Sequence, residues 1–241
     1  MQNEERQQSQ KYLTCEKLYI FELLIMAAGM MGAYTYNLRG GVFCNAQTAN
    51  VVLMAMAFGK GELMRGVYYL IPISAYVSGA VISELLPTKV RAARLLRWDT
   101  YLIGFEMLVL FGIGFIPLSW PVQIVQILIN FVCSMQYNTF RQAEGIPMAT
   151  TFVTNHIRQL GIWIAKGFHK KEKQAWQRAG KHLRMLGAFF IGGFVLTVLC
   201  GRLQEKAIWI ALLPLGISFL VMARADRGSE QGQLDQKPHG H

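Results

Sequence analysis

The sequence predicts an all-α integral membrane protein with about six transmembrane helices in two inverted repeats, each repeat containing a broken or re-entrant polar helix segment. Three observations carry this prediction. Of 241 residues, 53% are apolar and only 16% are charged, well below the roughly 25% charged residues of a soluble domain. Six long apolar runs divide the chain, and two polar segments with matching sequences lie about 105 residues apart.

The apolar runs approach the ~17–25 residues that a helix needs to cross a bilayer. They cover residues 18–36, 66–86, 102–118, 122–135, 185–199 and 207–223. The fourth and fifth runs are short and require their polar flanks to complete a span. We assign 18–118 to the first membrane repeat, 119–223 to the second, and 1–17 to a hydrophilic cytoplasmic segment without features of a signal peptide. The polar residues 224–241 have no apolar face, which predicts a disordered tail.

The two polar segments are residues 40–50 and 145–155, in which Gly40 corresponds to Gly145 and Asn50 to Asn155. Each begins with a glycine and continues through hydroxyl and amide side chains into a helical pattern. Breaks at corresponding positions of two repeats indicate a transporter-like binding site near the middle of the membrane.

The distribution of basic residues predicts the topology. If the polar segments dip in and return while the six apolar runs cross, 18 Lys and Arg residues lie inside and 5 outside. If all eight segments cross, the numbers are 15 and 8. Because basic residues concentrate in cytoplasmic loops, the six-crossing topology with both termini cytoplasmic is favoured. Each repeat then has three crossings, so the second repeat is inverted relative to the first.

The duplication continues after the polar segments, because residues 76–81 resemble residues 190–195 at an offset of 114. Small residues at Ser74, Ser78, Gly187 and Gly192 favour close helix packing in lipid.

Several of these motifs together resemble the YoaK family of small bacterial multipass membrane proteins, which has no assigned activity. The resemblance rests on residues 28–34, 40–43 and 47–50, and on a second block, 135–138, 145 and 151–155. It implies about six spans and a bacterial inner membrane. Family members usually carry an Asp where this chain has Gly32, and a Gly where it has Ala49 and Thr154, so no proton role of that Asp transfers here.

The candidate solute site lies where the broken segments meet. Helices starting near Gln47 or Thr151 would present free N–H groups and a positive dipole end to an anion or carboxylate. The predicted binding residues are Gln47, Thr48, Asn50, Asn138, Thr151, Thr154, Asn155 and Arg158. The alternative is that these Thr and Asn residues only cap the helices and satisfy the broken backbone.

Other polar residues leave two interpretations open. Arg39 and Arg141 either offer charge to an anion or lie at the membrane interface, while Arg158 beside His156 is an intramembrane charge and therefore a functional candidate. Glu22 and Glu106 either bind protons or pair with an arginine. The polar face containing Gln123, Gln126, Asn130, Gln136 and Asn138 fits interhelical hydrogen bonding as well as a permeation path.

The basic stretch 166–184 is typical of a helix that touches anionic lipids. Nucleic acid is not expected as a partner, since the net charge of +10 follows from the topology. The four cysteines lie too far apart for a zinc cluster, and no hydrolase, metalloprotease or phosphate-loop motif is present. We therefore predict no enzyme activity, metal or cofactor. The expected function is a small secondary transporter or channel for a small polar or anionic solute, as a possible homodimer in the lipid bilayer; the alternative is a non-transporting scaffold or lipid-binding protein.

Overall fold

The protein is built almost entirely from helices. The computed structural model describes residues 12–87 and 95–239. Its α-helices in this part of the chain are α1 Leu18–Leu38, α2 Gln47–Gly59, α3 Leu63–Tyr68, α4 Leu70–Leu85, α5 Trp98–Ile113, α6 Val122–Thr139, α7 Thr154–Lys170, α8 Lys173–Leu203 and α9 Leu212–Arg227. Short 3-10 helices cover Thr14–Glu16, Gln204–Ala211 and Gln231–Gln233, and β1 Gln142–Ala143 pairs antiparallel with β2 Ile146–Pro147.

The apolar character of the helices agrees with the predicted all-α membrane protein. Among the described residues, three helical stretches are long and apolar enough to cross a membrane, namely Leu18–Leu38, Leu63–Leu85 and Lys173–Arg227. The basic residues Lys89, Arg91 and Arg94 and the loop position Thr88, which the sequence assigns to a cytoplasmic loop, lie outside the described residues.

Helix α1 forms the centre of the fold, because most of its side chains are buried by α6, α8 and α9. It runs parallel to α8: Glu22 pairs with Arg184 near the start of α1, with 2.7 Å between Oε1 and Nε, and Asn37 donates to the hydroxyl of Thr197 near its end. From the first contact to the second, the residue numbers increase on both helices, so α1 and α8 are parallel.

Helices α4 and α6 form a second parallel pair. Tyr68, just before α4, donates to the side chain of Gln126 near the start of α6, while Ser83 accepts from Asn138 near the end of α6. This pair runs opposite to α1 and α8, because Gln126 also donates to the backbone carbonyl of Arg39 at the end of α1.

Glycines allow the helices of the first pair to approach closely. A Cβ at Gly29 would lie 2.2 Å from the carbonyl oxygen of Phe189, and one at Gly192 would lie 2.1 Å from that of Met26. At both glycines there is room only for the hydrogen of the glycine Cα. The backbones of α1 and α8 therefore pack directly against each other, which small residues permit between helices in lipid.

The second pair repeats these contacts. A Cβ at Gly79 would lie 2.4 Å from the carbonyl oxygen of Phe131, and the hydroxyl of Ser134 donates to the carbonyl of Tyr76. Each residue of α6 in these contacts follows its α1 counterpart by 105 positions, the offset of the polar segments. Each residue of α4 precedes its α8 counterpart by 113, one fewer than the offset of 114 between residues 76–81 and 190–195. The same contacts therefore recur between corresponding helices of the two halves.

Buried ion pairs close one end of the bundle, which we call the Arg97 end. Nε of Arg97 lies 3.2 Å from a carboxylate oxygen of Asp226 in α9, and its Nη2 lies 3.4 Å from Glu230. Glu230 also accepts from the backbone and hydroxyl of Thr14. These contacts differ from the predicted disordered tail: α9 continues to Arg227, and residues up to His239 pack on the N-terminal segment, where His239 donates to Glu16. The buried side chain of Arg97 is the ion-pair partner of Asp226 and Glu230, which hold this polar tail against the fold.

At the opposite end, the Arg39 end, no carboxylate within residues 12–87 and 95–239 pairs with Arg39. Its fully buried guanidinium donates to the hydroxyl of Tyr34 and to the backbone carbonyls of Ile116 and Pro117. Of the two interpretations left open for Arg39, this arrangement favours the structural one at the end of the bundle.

Candidate functional site

The two polar segments meet in the middle of the fold. Nδ2 of Asn45, in the first segment, lies 2.9 Å from the carbonyl oxygen of Thr151 in the second segment and 3.3 Å from that of Ala28. Ala28 lies halfway along α1, so the meeting point is far from both ends. Gly32 makes room for this amide, because a Cβ there would lie 3.1 Å from Nδ2 of Asn45.

Glycines break the backbone before each segment, as the sequence predicts. Gly40 and Gly41 have φ of 93° and 67°, and Gly145 has φ of 75°, which is the left-handed region that glycine adopts without strain. The first helix then starts at Gln47, as predicted. The second starts at Thr154 rather than near Thr151, because the β1–β2 hairpin and an irregular stretch come first.

A pocket of about 450 Å³ lies between the two segments. The first segment contributes Asn45, Ala46, Gln47 and Thr48, the second contributes Phe152, Thr154, Asn155 and Arg158, and Tyr76 of α4 completes the lining. Five of the eight predicted binding residues therefore line one pocket: Gln47, Thr48, Thr154, Asn155 and Arg158.

The pocket has a positive character. Arg158 is the charged side chain among the lining residues, and its Nη2 donates to Oδ1 of Asn155 over 3.0 Å. The starts of α2 and α7 both contribute to the lining, so their free N–H groups add positive potential. An anion or a solute rich in hydrogen-bond acceptors fits this arrangement better than a cation.

The other three predicted residues lie outside the pocket lining and stabilise the surrounding structure. Asn50 is buried and donates to Oε1 of Gln47. Thr151 is buried, and its carbonyl accepts the hydrogen bond from Asn45. Asn138 lies towards the Arg97 end, where it donates to Ser83 and Glu84. Asn50 therefore orients a residue of the pocket lining.

Asn45, Tyr76 and Phe152 line the pocket but were not among the predicted binding residues. Asn45 belongs to the polar segment 40–50, and its amide could have been included on that ground. Tyr76 lies in an apolar run with no local signal, because only the packing of α4 on α6 brings it to the pocket.

Two buried histidines join α7 to α8 beside the pocket. Nδ1 of His156 lies 3.0 Å from Nδ1 of His182, and Nε2 of His156 lies 2.8 Å from the carbonyl oxygen of Ala149. Since a carbonyl only accepts, Nε2 of His156 donates to it, and the neutral pair is completed by His182 donating to His156. This bond fixes the start of α7 and thereby the position of Asn155.

The two mid-span carboxylates differ in their surroundings. Glu22 pairs with Arg184, which agrees with one of the interpretations left open. Glu106 is fully buried, and neither of its oxygens has a hydrogen-bond partner in the described part of the chain. Residues 12–87 and 95–239 contain no group of three or more His, Cys, Asp or Glu side chains that could hold a metal ion, and the four cysteines are buried and free.

Comparisons with known proteins identify the family. The model of the family described as "Protein of unknown function (DUF1275)" matches residues 20–221. The chain belongs to the DUF1275 family. The chain is also similar to the UPF0700 transmembrane protein YoaK of Bacillus subtilis (strain 168), with 24% identity over 212 residues that cover 86% of this chain and 92% of the relative. The resemblance to the YoaK family is thus confirmed. No solved structure matches the chain.

Proposed function

We propose that the protein is a small secondary transporter or channel that binds a small polar or anionic solute in the pocket between the two polar segments. The observation that carries the proposal is that four residues around each polar segment line the same pocket: residues 45–48 in the first half of the chain, and residues 152, 154, 155 and 158 in the second. If the two polar segments were only structural, they would have no need to line one pocket together with the cationic side chain of Arg158.

The proposal includes six crossings, by α1, α3 with α4, α5, α6, α8 and α9, in a bacterial inner membrane with both termini cytoplasmic. The contacts support this topology, since α1 and α8 run one way and α4 and α6 the other. The equivalent contacts at offsets of 105 and 113 support inverted repeats. The Arg97 end, which holds both terminal segments, would face the cytoplasm.

Exposed polar groups at the mouth of the pocket support a homodimer. Thr48, Thr154 and Arg158 are exposed in the single chain, although they lie between helices proposed to cross the bilayer. A charge facing lipid is costly, so a second subunit or a water-filled entrance must cover it. The proposal needs no enzyme activity, cofactor or nucleic acid.

A thermal-shift screen in detergent tests the binding. A solute that binds only the folded protein stabilises it by RT ln(1 + [L]/Kd), so small carboxylates, phosphate and neutral polar solutes can be compared directly. Replacing Arg158 by Gln removes a charged hydrogen-bond donor, which costs about 1.5–3 kcal/mol, or about 10- to 150-fold in affinity.

The matched control is Arg202→Gln, which removes an exposed arginine in the last turn of α8, outside the pocket. It should bind the solute like the natural protein. If Arg158→Gln binds equally well, the pocket is not the solute site. If no solute of these classes stabilises the protein, the scaffold or lipid-binding alternative replaces transport.

A further inference from the structure

A second, larger groove lies at the Arg97 end, separate from the solute pocket. Its volume is about 1240 Å³. Its walls come from the N-terminal residues 12–19, the hairpin residues 144–146, the first turns of α8 and the tail residues 229–236. The solute pocket shares none of these walls.

One face of α8 gives the groove its basic wall. Gln174, Gln177, Arg178 and Lys181 line it and follow one another at spacings of three, one and three residues, which places them on the same side of a helix. Lys17, in the N-terminal segment, also lines the groove. Two cations and two amide side chains therefore face the groove from one rigid element.

The acidic residues of the groove are already neutralised within the protein. Glu144 lies 2.6 Å from Nζ of Lys181 and accepts from the backbone of Leu18 over 3.3 Å. Glu230 is held by Arg97 and Thr14. With these carboxylates engaged, the positive charge of Arg178 in the groove favours an anion.

Arg178 has its hydrogen-bonding edge available. Its guanidinium carbon lies 4.6 Å from the ring centroid of Trp163, so the face of the guanidinium stacks on the indole. It forms no ion pair or hydrogen bond with any residue of 12–87 or 95–239. Stacking occupies the face and leaves the N–H groups at the edge, which match the paired oxygens of a phosphate.

The aromatic side chains exposed in and beside the groove are typical of a membrane interface. Tyr19, on the first turn of α1, lines the groove and is 44% exposed. Phe168 and Trp176, which contact each other on the adjoining α7–α8 hairpin, are 71% and 44% exposed. Tyr and Trp collect at the level of the lipid headgroups, whereas a site for a soluble phosphate has no need of them.

We propose that this groove binds the phosphate headgroup of an anionic phospholipid in the leaflet at the Arg97 end, with Arg178 as the main phosphate ligand. Lys17 also lines the groove, Lys181 holds Glu144 so that its carboxylate does not repel the phosphate, and Gln174 and Gln177 offer neutral hydrogen bonds to the rest of the headgroup. The lipid would tie the tail, the N-terminal segment and the basic end of α8 together.

The test uses the full chain in detergent micelles, with its melting temperature followed while phosphatidylglycerol is added. Parallel titrations use phosphatidylcholine and soluble glycerol phosphate. Phosphatidylglycerol should raise the melting temperature in a saturable way, and the other two should not. Arg178→Gln should weaken the effect about 10-fold or more, while Arg202→Gln and Arg158→Gln, which lie outside the groove, should leave it unchanged.

A second variant, Gln177→Glu, places a carboxylate at an exposed groove position without disturbing the core. It should lower the affinity for phosphatidylglycerol by repulsion, and it decides the question if Arg178→Gln does not fold. Equal stabilisation by phosphatidylcholine, or unchanged phosphatidylglycerol binding in both variants, would overturn the proposal. Equal stabilisation by glycerol phosphate would also overturn it, in favour of a site for soluble phosphates.

Discussion

Asn45 is the side chain that joins the two polar segments, and replacing it by Ala tests whether that junction holds the site together. Asn45 is 3% exposed and donates to the carbonyl of Thr151 over 2.9 Å and to that of Ala28 over 3.3 Å. Ala28 is helical and keeps its helix hydrogen bond. Thr151 lies in irregular backbone, so its buried carbonyl loses the donor that it has here.

An unpaired buried carbonyl costs about 1–3 kcal/mol, and lipid or a dry interior offers no replacement donor. We therefore expect Asn45→Ala to lower the free energy of unfolding in detergent by about that amount, measured from denaturant midpoints. It should also loosen the pocket, so that solute binding weakens.

Asn37→Ala is the matched control. Asn37 is exposed and donates to the carbonyl of Ala33 and the hydroxyl of Thr197, so its loss should change stability by less than about 0.5 kcal/mol. The reasoning is refuted if Asn45→Ala is no more destabilising than Asn37→Ala.

Three further predictions concern packing, topology and pH. Gly192→Ala places a Cβ 2.1 Å from the Met26 carbonyl oxygen, so it should destabilise the protein by about 1–3 kcal/mol. The control Gly187→Ala meets open space and should be neutral or stabilising in the same melting assay. On a cysteine-free background, a cysteine at Gln174 should label only from the cytoplasmic side and cysteines at Gly61 and Ser119 only from outside; labelling of Gln174 and Gly61 from the same side would contradict the proposed topology. Burial raises the pKa of Glu144, but the hydrogen bond and charge of Lys181 outweigh it and lower the pKa below its usual 4.5. The pair therefore stabilises the fold above about pH 4.5 and loses this effect as the pH falls through the lowered pKa. The stability difference between the natural protein and Glu144→Gln should accordingly shrink in acid. A difference independent of pH would show that the ion pair contributes nothing.

The helices themselves could be predicted from apolar runs and glycine breaks. Gly40 and Gly145 mark the two breaks, and Gln47 begins its helix as predicted. The second helix begins at Thr154, three residues after the predicted Thr151, because two short strands follow α6. Strands of two residues leave no periodic pattern in a sequence. Spacing therefore located the segments better than it located their helix starts.

The composition of the pocket could be predicted only where both segments supplied the residues. Asn155 follows from the duplication and Arg158 from its charge within an apolar helical pattern, but Tyr76 enters through helix packing that a single sequence does not encode locally. The tail illustrates the same limit. Its polarity predicted disorder, yet a buried arginine 133 positions earlier in the chain, Arg97, binds Glu230. The composition of the tail alone does not predict a long-range ion pair of this kind.

The central claim, that one solute binds between both polar segments, is tested most directly by protection from labelling. Single cysteines are placed at Thr48 in the first segment and at Asn155 in the second, on a cysteine-free background, with Asn37→Cys as a control outside the pocket. The proposal predicts that a solute found in the thermal-shift screen slows maleimide labelling of Cys at both pocket positions and leaves the control unchanged. In each variant, the half-maximal concentration should equal the Kd that the thermal shift gives for that same variant. Protection at one segment only, or at neither, would contradict the claim that the duplicated segments form a single site.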